Sequence, residues 1–130
     1  LVKQVNRWSI QQMWPWYEPT LKRATDENPE ADITELKGKL LTGFAQLFQW
    51  ADGLMVTQVD ASPAGKTLTI AQLAGHGMNT WADTMEQHLC AIAKCFGCVR
   101  VKVIGRKGWE RMGRKYGYQL QTLELVKNVY

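Results

Sequence analysis

The 130-residue chain contains no apolar run near the roughly 18 residues that a membrane-spanning helix needs, so no membrane span is expected. Its opening stretch, "LVKQVNRWSIQQMW", lacks both a continuous apolar segment and a small-residue cleavage site, which argues against a secretion signal. Cysteine is scarce. Cys90, Cys95 and Cys98 are an odd set, which does not suit a secreted disulfide framework and fits a reducing cytoplasm. "CFGC" has the C-x-x-C spacing, with His88 nearby, but no second C-x-x-C and no H-x3–5-H completes the four ligands of a closed zinc site. No metal is expected, and the cysteines are read as buried thiols. Repeats, low-complexity tracts and linkers are also missing, and the length is that of one domain, 1–130.

Apolar residues make up 45% of the chain and charged residues 22%, ordinary globular usage with enough apolar material for a core. The net charge of +4 is unevenly spread. Residues 99–130 carry eight Lys/Arg against Glu110 and Glu124, a net +6 that leaves −2 for residues 1–98. A basic C-terminal third suits an anionic partner, either a phosphorylated cofactor or DNA, and equally suits a solvated helix face.

Periodicity divides the chain. The tryptophan-rich stretch from Asn6 to Thr25 predicts a short helix from about Ser9 and a second beginning near Pro19, because proline suits a first helical turn. In "DITELKGKLLTG", Asp32 or Thr34 can cap a helix with Ile33, Leu36, Leu40 and Leu41 on its apolar side, ended by Gly43. "FAQLFQWAD" (44–52) and "LMVTQVD" (54–60) predict a hairpin around Asp52-Gly53. "TLTIAQL" (67–73) alternates as a third strand, with Leu68, Ile70 and Gln72 in one phase and Thr67, Thr69 and Ala71 in the other. Trp81, Met85, Leu89, Ile92 and Phe96 then fall on one face of a long helix stopped by Gly97. "CVRVKVIG" (98–105) predicts a half-buried strand, "RKGWERMGRKYGY" a short basic helix, and "LQTLELVKNV" a last strand. A strand–helix–strand unit over 67–105 implies a crossover and a locally parallel pair, hence an α/β (α+β) fold with a mixed, mostly antiparallel sheet and helices on both faces.

Between the third strand and the long helix stands Gln72-Leu73-Ala74-Gly75-His76-Gly77. It is neither a G-x-G-x-x-G fingerprint nor a P-loop. Its small residues let an anion approach the main chain, where the N–H groups of a first helical turn and the positive end of the helix dipole await it. A plain tight turn would look the same locally. This Q-x-x-G-x-G motif, in this place and element order, resembles the coenzyme A pyrophosphate loop, [R/Q]-x-x-G-x-[G/A], of the GNAT superfamily, the GCN5-related N-acetyltransferases; the resemblance covers roughly residues 44–130. It implies acetyl-CoA or another acyl-CoA as cofactor and an unknown amine as acceptor. The strand would line the pantetheine arm with the backbone around Ile70, and Gln72, Leu73, Ala74, Gly75, His76, Gly77 and Met78 would hold the pyrophosphate. His76 can donate to phosphate if protonated, or simply be exposed.

The next segment departs from the family pattern. Where many such enzymes read N-x-x-A-x-x-x-Y-E-K-x-G-F, with the tyrosine protonating the departing thiolate, "RKGWERMGRKYGY" puts Arg106 at the asparagine and Gly113 at the tyrosine; Tyr116 lies one turn away. Asp60, Glu124 and Asp52 are the candidate proton acceptors. Trp14, Trp16 and Tyr17 either wall an acceptor pocket or pack on the sheet. "GRKGWER…YGY" and "QLFQWADG" are similar to a GNAT-like group encoded in phage and prophage genomes. That likeness implies an alternative: a non-catalytic virion or assembly component whose partners are phage structural proteins or DNA.

Overall fold

The computed structural model describes residues 2–26, 32–51, 53–75, 78–103, 117, 118 and 127. Within them the chain runs β1 (Lys3–Val5), α1 (Arg7–Gln12), α2 (Trp14–Asp26), α3 (Ile33–Thr42), β2 (Gln46–Trp50), β3 (Gly53–Ser62), β4 (Gly65–Gly75), α4 (Met78–Cys95) and β5 (Cys98–Val103). The basic helix and last strand expected from the sequence lie outside the described residues.

The helix ends follow side-chain chemistry. Asn6 Oδ1 accepts the Ser9 N–H at 2.8 Å and starts α1. Asp32 Oδ1 accepts the Thr34 N–H at 2.9 Å and starts α3, and Gly43 ends it at φ 85°, a left-handed conformation that favours glycine. The start of α2 is a correction: it begins at Trp14, not near Pro19. Pro15 occupies its first turn, and Pro19 sits inside the helix at the loss of one backbone hydrogen bond. Burial of Trp14, Tyr17, Leu21 and Thr25, spaced three, four and four residues apart, outweighs that loss.

The sheet order is β1-β2-β3-β4-β5, antiparallel except for the parallel β4–β5 pair. The meander and the crossover match expectation; β1 is a three-residue edge strand that the sequence did not announce. Helices α1–α3 cover one face, packing with Val5, Leu47, Leu54 and Val56, and α4 covers the other with Phe48, Met55, Leu68 and Ile70. At the β3–β4 turn Gly65 has φ 116°, and a Cβ there would come within 2.8 Å of Val99 Cγ2, so this turn requires glycine.

The cysteines do not behave as one set. Cys98 is buried, whereas Cys90 and Cys95 are exposed, correcting the expectation of three buried thiols. They occupy the outer side of α4, away from the stripe of Met85, Leu89 and Ala93 that meets the sheet. No group of three or more metal-ligating side chains exists among the described residues.

Candidate functional site

The strand β4 changes character halfway along. Its first half pairs on both sides: Lys66 to Ile70 meet β3 and also β5, where the last described pair is Ile70↔Val103. Ala71 is then an extra residue, because Val56 pairs with Gln72 while Thr57 pairs with Ile70. Such a bulge bends its strand and sharpens the local twist. From Ala71 to Gly75 the strand pairs with β3 alone among the described residues, and α4 starts three residues later at Met78. Among the described residues, the second half of β4 therefore has no pairing on the β5 side, and it leads to the α4 N-terminus.

No acidic residue lies in the first turn of α4, and Lys94 lies in the last, a distribution that leaves the positive end of its dipole without a first-turn carboxylate. At α3, by contrast, Asp32 caps the helix and Glu35 lies in the first turn.

The expected binding stretch is a strand for most of its length rather than a loop: Gln72, Leu73, Ala74 and Gly75 pair with Val56, Met55, Leu54 and Gly53. The bulge also corrects the expected phase. Gln72 leaves the face of Leu68 and Ile70 and joins Ala71 on the α1–α3 side, while Leu73 takes its place toward α4. Ile70 is buried, and Leu73, half-buried, packs on the α4-side core. Met78 begins α4; His76 and Gly77 lie outside the described residues.

On the α1–α3 side, next to the bulge, lies a cavity of about 120 Å³. Leu36, Ala45, Val56 and Ala71 supply apolar wall, and Asp32, Glu35, Gln58 and Gln72 supply polar wall. Lys39, also on the wall, sits 3.5 Å from Glu35. The sequence marked Asp32 only as a cap and did not mark Glu35 or Gln58, since nothing in the strand pattern shows which residue of β4 they face.

Of the candidate proton acceptors, Asp60 is described, and Asp52 and Glu124 lie outside the described residues. Asp60 accepts from Thr69 Oγ1 at 2.8 Å and from Gln58 Nε2 at 3.2 Å. The Thr69 bond first, then Gln58, holds its pKa below the ordinary carboxylate value despite some burial. A carboxyl group held ionised in this way is a weak base and a good fixed charge.

The aromatic trio divides. Trp14 and Tyr17 are buried, with the Tyr17 hydroxyl donating to Gln49 Oε1 at 3.2 Å, whereas Trp16 is 61% exposed. Gly113, Tyr116 and Arg106, the positions expected to bear on proton delivery, lie outside the described residues. Tyr118 is described: its hydroxyl donates to Glu86 Oε2 on α4 at 3.0 Å. Burial, and then the Glu86 charge, raise its pKa well above that of a free phenol.

No protein-family model and no curated protein sequence matches this chain. Solved structures do match it in shape. A predicted acetyltransferase with acetyl-CoA from Clostridium acetobutylicum superposes with a TM-score of 0.66 at 15% identity, over 99% of this chain and 96% of that one. The ribosomal-protein-alanine N-acetyltransferase of Brucella melitensis biovar Abortus 2308 gives a TM-score of 0.68 at 9% identity, over 98% and 99%. An aminoglycoside N-acetyltransferase in complex with CoA gives 0.70 at 8% identity, over 100% and 95%. Identities this low establish architecture alone: this chain has the fold of the GNAT acetyltransferases.

Proposed function

We propose that the chain binds acetyl-CoA or another acyl-CoA along the open half of β4 and passes the acyl group to an amine. The observation that carries this reading is the bulge at Ala71, beyond which Ala71–Gly75 runs on without a described β5 partner toward the N-terminus of α4, whose first turn holds no acidic residue. The residues present suit such a cofactor. A polar main-chain edge can hydrogen-bond an amide-bearing arm, and the first-turn N–H groups of α4 can take a diphosphate. Two of the structural neighbours, by their names, hold acetyl-CoA or CoA.

An acyl-CoA supplies a thioester: its C–S bond breaks as the amine's N–C bond forms, and the proton lost by the amine balances the one taken up by the thiolate. The protein's contribution is placement and charge. Main-chain N–H groups of β4 beside the bulge would donate to a carbonyl oxygen as negative charge grows on it. Gln72 and Ala71 border the cavity through which an amine reaches that point. With glycine at position 113, proton delivery to sulfur falls to water or to another side chain.

Isothermal titration with acetyl-CoA tests the reading. Micromolar binding is expected, and Gly77→Trp should weaken it by ten-fold or more, equivalent to about 1.4 kcal/mol. No heat at millimolar acetyl-CoA would sink the proposal. The phage-component alternative rests on the sequence, through Gly113 and the basic span Arg100–Arg114. It requires retention of DNA that weakens steeply with salt or capture by virion proteins, in place of acetyl-CoA binding.

A further inference from the structure

We infer that the outer face of α1 and α2, a ridge of Trp8, Gln12, Trp16 and Pro19, docks a second copy of this chain, packed antiparallel about a two-fold axis at Gln12. The inference is independent of the acyl-CoA reading, because the ridge faces away from the sheet and so from β4.

The two helices behave as one rod. The Met13 N–H donates to Ser9 O at 2.9 Å and the Tyr17 N–H to Met13 O at 3.3 Å, four-residue spacings that carry the helical turn through the joint. Burial follows the same rotation: Ile10, Trp14, Tyr17, Leu21 and Thr25 form one uninterrupted buried stripe, in steps of four, three, four and four. At about 100° per residue, Trp8, Gln12, Trp16, Pro19 and Arg23 lie on the opposite side, and all five are exposed. A helix face turned to water carries charged and polar groups. This one carries two tryptophans, Trp8 71% and Trp16 61% exposed. Trp16 is also held in place, its ring edge-on to that of buried Tyr17 with centroids 5.3 Å apart, so little freedom is lost when a partner covers it.

Charge and area select the occupant. No charged residue stands between Arg7 and Glu18, in a chain that is 22% charged. An uncharged surface rich in tryptophan is what the middle of a protein interface needs, and its centre offers the phosphates of a lipid or nucleic acid no cation. With Met13 on its flank, 47% exposed, and the exposed Pro15 and Pro19, the ridge leaves on the order of 500 Å² of apolar surface open. A homodimer interface of about 800 Å² per partner is about 65% apolar, which comes to the same area. The order of residues is self-complementary as well. Trp8 and Trp16 lie four residues to either side of Gln12, so an antiparallel copy sets each Trp8 beside the other's Trp16. Gln12 then meets Gln12 of the second copy, and each amide carries both donors and an acceptor. The same rotation brings Arg7 of one copy and Glu18 of the other, opposite in sign, to nearly one level, whereas parallel packing would set like charges together.

Sedimentation equilibrium of the full chain, from micromolar to hundreds of micromolar, tests this. A monomer–dimer equilibrium with a micromolar dissociation constant is expected. Trp8→Glu and Trp16→Glu, both at exposed positions, should each weaken it by about ten-fold or more while leaving the circular dichroism spectrum of the dilute protein unchanged. Gln12→Lys and Gln12→Glu should each weaken self-association by about five-fold. An equimolar mixture of those two should recover it, since only the mixed pair sets opposite charges across the axis. Protein that stays monomeric at hundreds of micromolar overturns the inference, and cosedimentation of that monomer with vesicles of anionic lipid would assign the ridge to a membrane surface instead. A dimer indifferent to Trp8→Glu and Trp16→Glu uses another face and also overturns it. So does a mixture of the Gln12 variants that associates no more tightly than either alone.

Discussion

The two halves of β4 belong to one continuous strand and differ in surroundings. Lys66–Ile70 is held between two strands, with Leu68, Thr69 and Ile70 all buried, and serves as core. Ala71–Gly75 keeps one strand neighbour among the described residues, and Ala71 to Ala74 are only half-buried. One inserted residue separates the halves. The second half of the strand thus takes its position from the core that the first half is built into.

Mutation can separate the halves. The largest effect is expected in the closed one: Leu68→Ala, at a fully buried position, should cost about 2–5 kcal/mol in denaturant unfolding. Acetyl-CoA affinity under native conditions should change little, and a fall in affinity matching the loss of stability would merge the two halves. Deleting Ala71 should do the reverse. Val56↔Gln72 and Thr57↔Ile70 would become consecutive pairs, so stability should stay within about 1 kcal/mol while acetyl-CoA binding falls at least ten-fold. Unchanged binding in that variant would show that the bulge has no part in the site.

The smallest effect sharpens the boundary. Thr69→Val removes the bond that does most to hold the Asp60 pKa down and should cost about 0.5–1 kcal/mol, the low end for a hydrogen bond because Asp60 is exposed. Asp60 has a lower pKa folded than unfolded, so the bond's contribution is full above the unfolded carboxylate value and disappears as pH falls through the folded one. Unfolding midpoints of the two proteins should therefore differ at pH 7 and converge in acid. A constant gap across that range would assign the loss to packing alone.

Much of this arrangement is written locally and can be read. Asp32 before the apolar stripe of Ile33, Leu36, Leu40 and Leu41, and Gly43 after it, state where α3 begins and ends. Alternation in "TLTIAQL" identifies β4, and the step-of-four stripe identifies α4. The bulge is different. An extra residue leaves an apolar–polar pattern almost intact, so Gln72 reads as in phase with Ile70 until the pairing with Val56 is known. Pro19 misleads for a related reason, since its local signal is outweighed by Trp14, Tyr17 and Leu21 packing at long range. The cavity walls were illegible because Asp32, Glu35 and Gln58 meet Ala71 only after α3 docks on the sheet. The three-residue β1 is too short to carry a pattern at all.

The Tyr118–Glu86 contact has a practical consequence. With burial and a neighbouring carboxylate both opposing ionisation, that phenol keeps its proton through the neutral range and gives up its grip on α4 only in strong alkali, once pH has passed the value of a free tyrosine. A fluorinated tyrosine at position 118 would make it a spectroscopic gauge of whether this residue is seated on the helix.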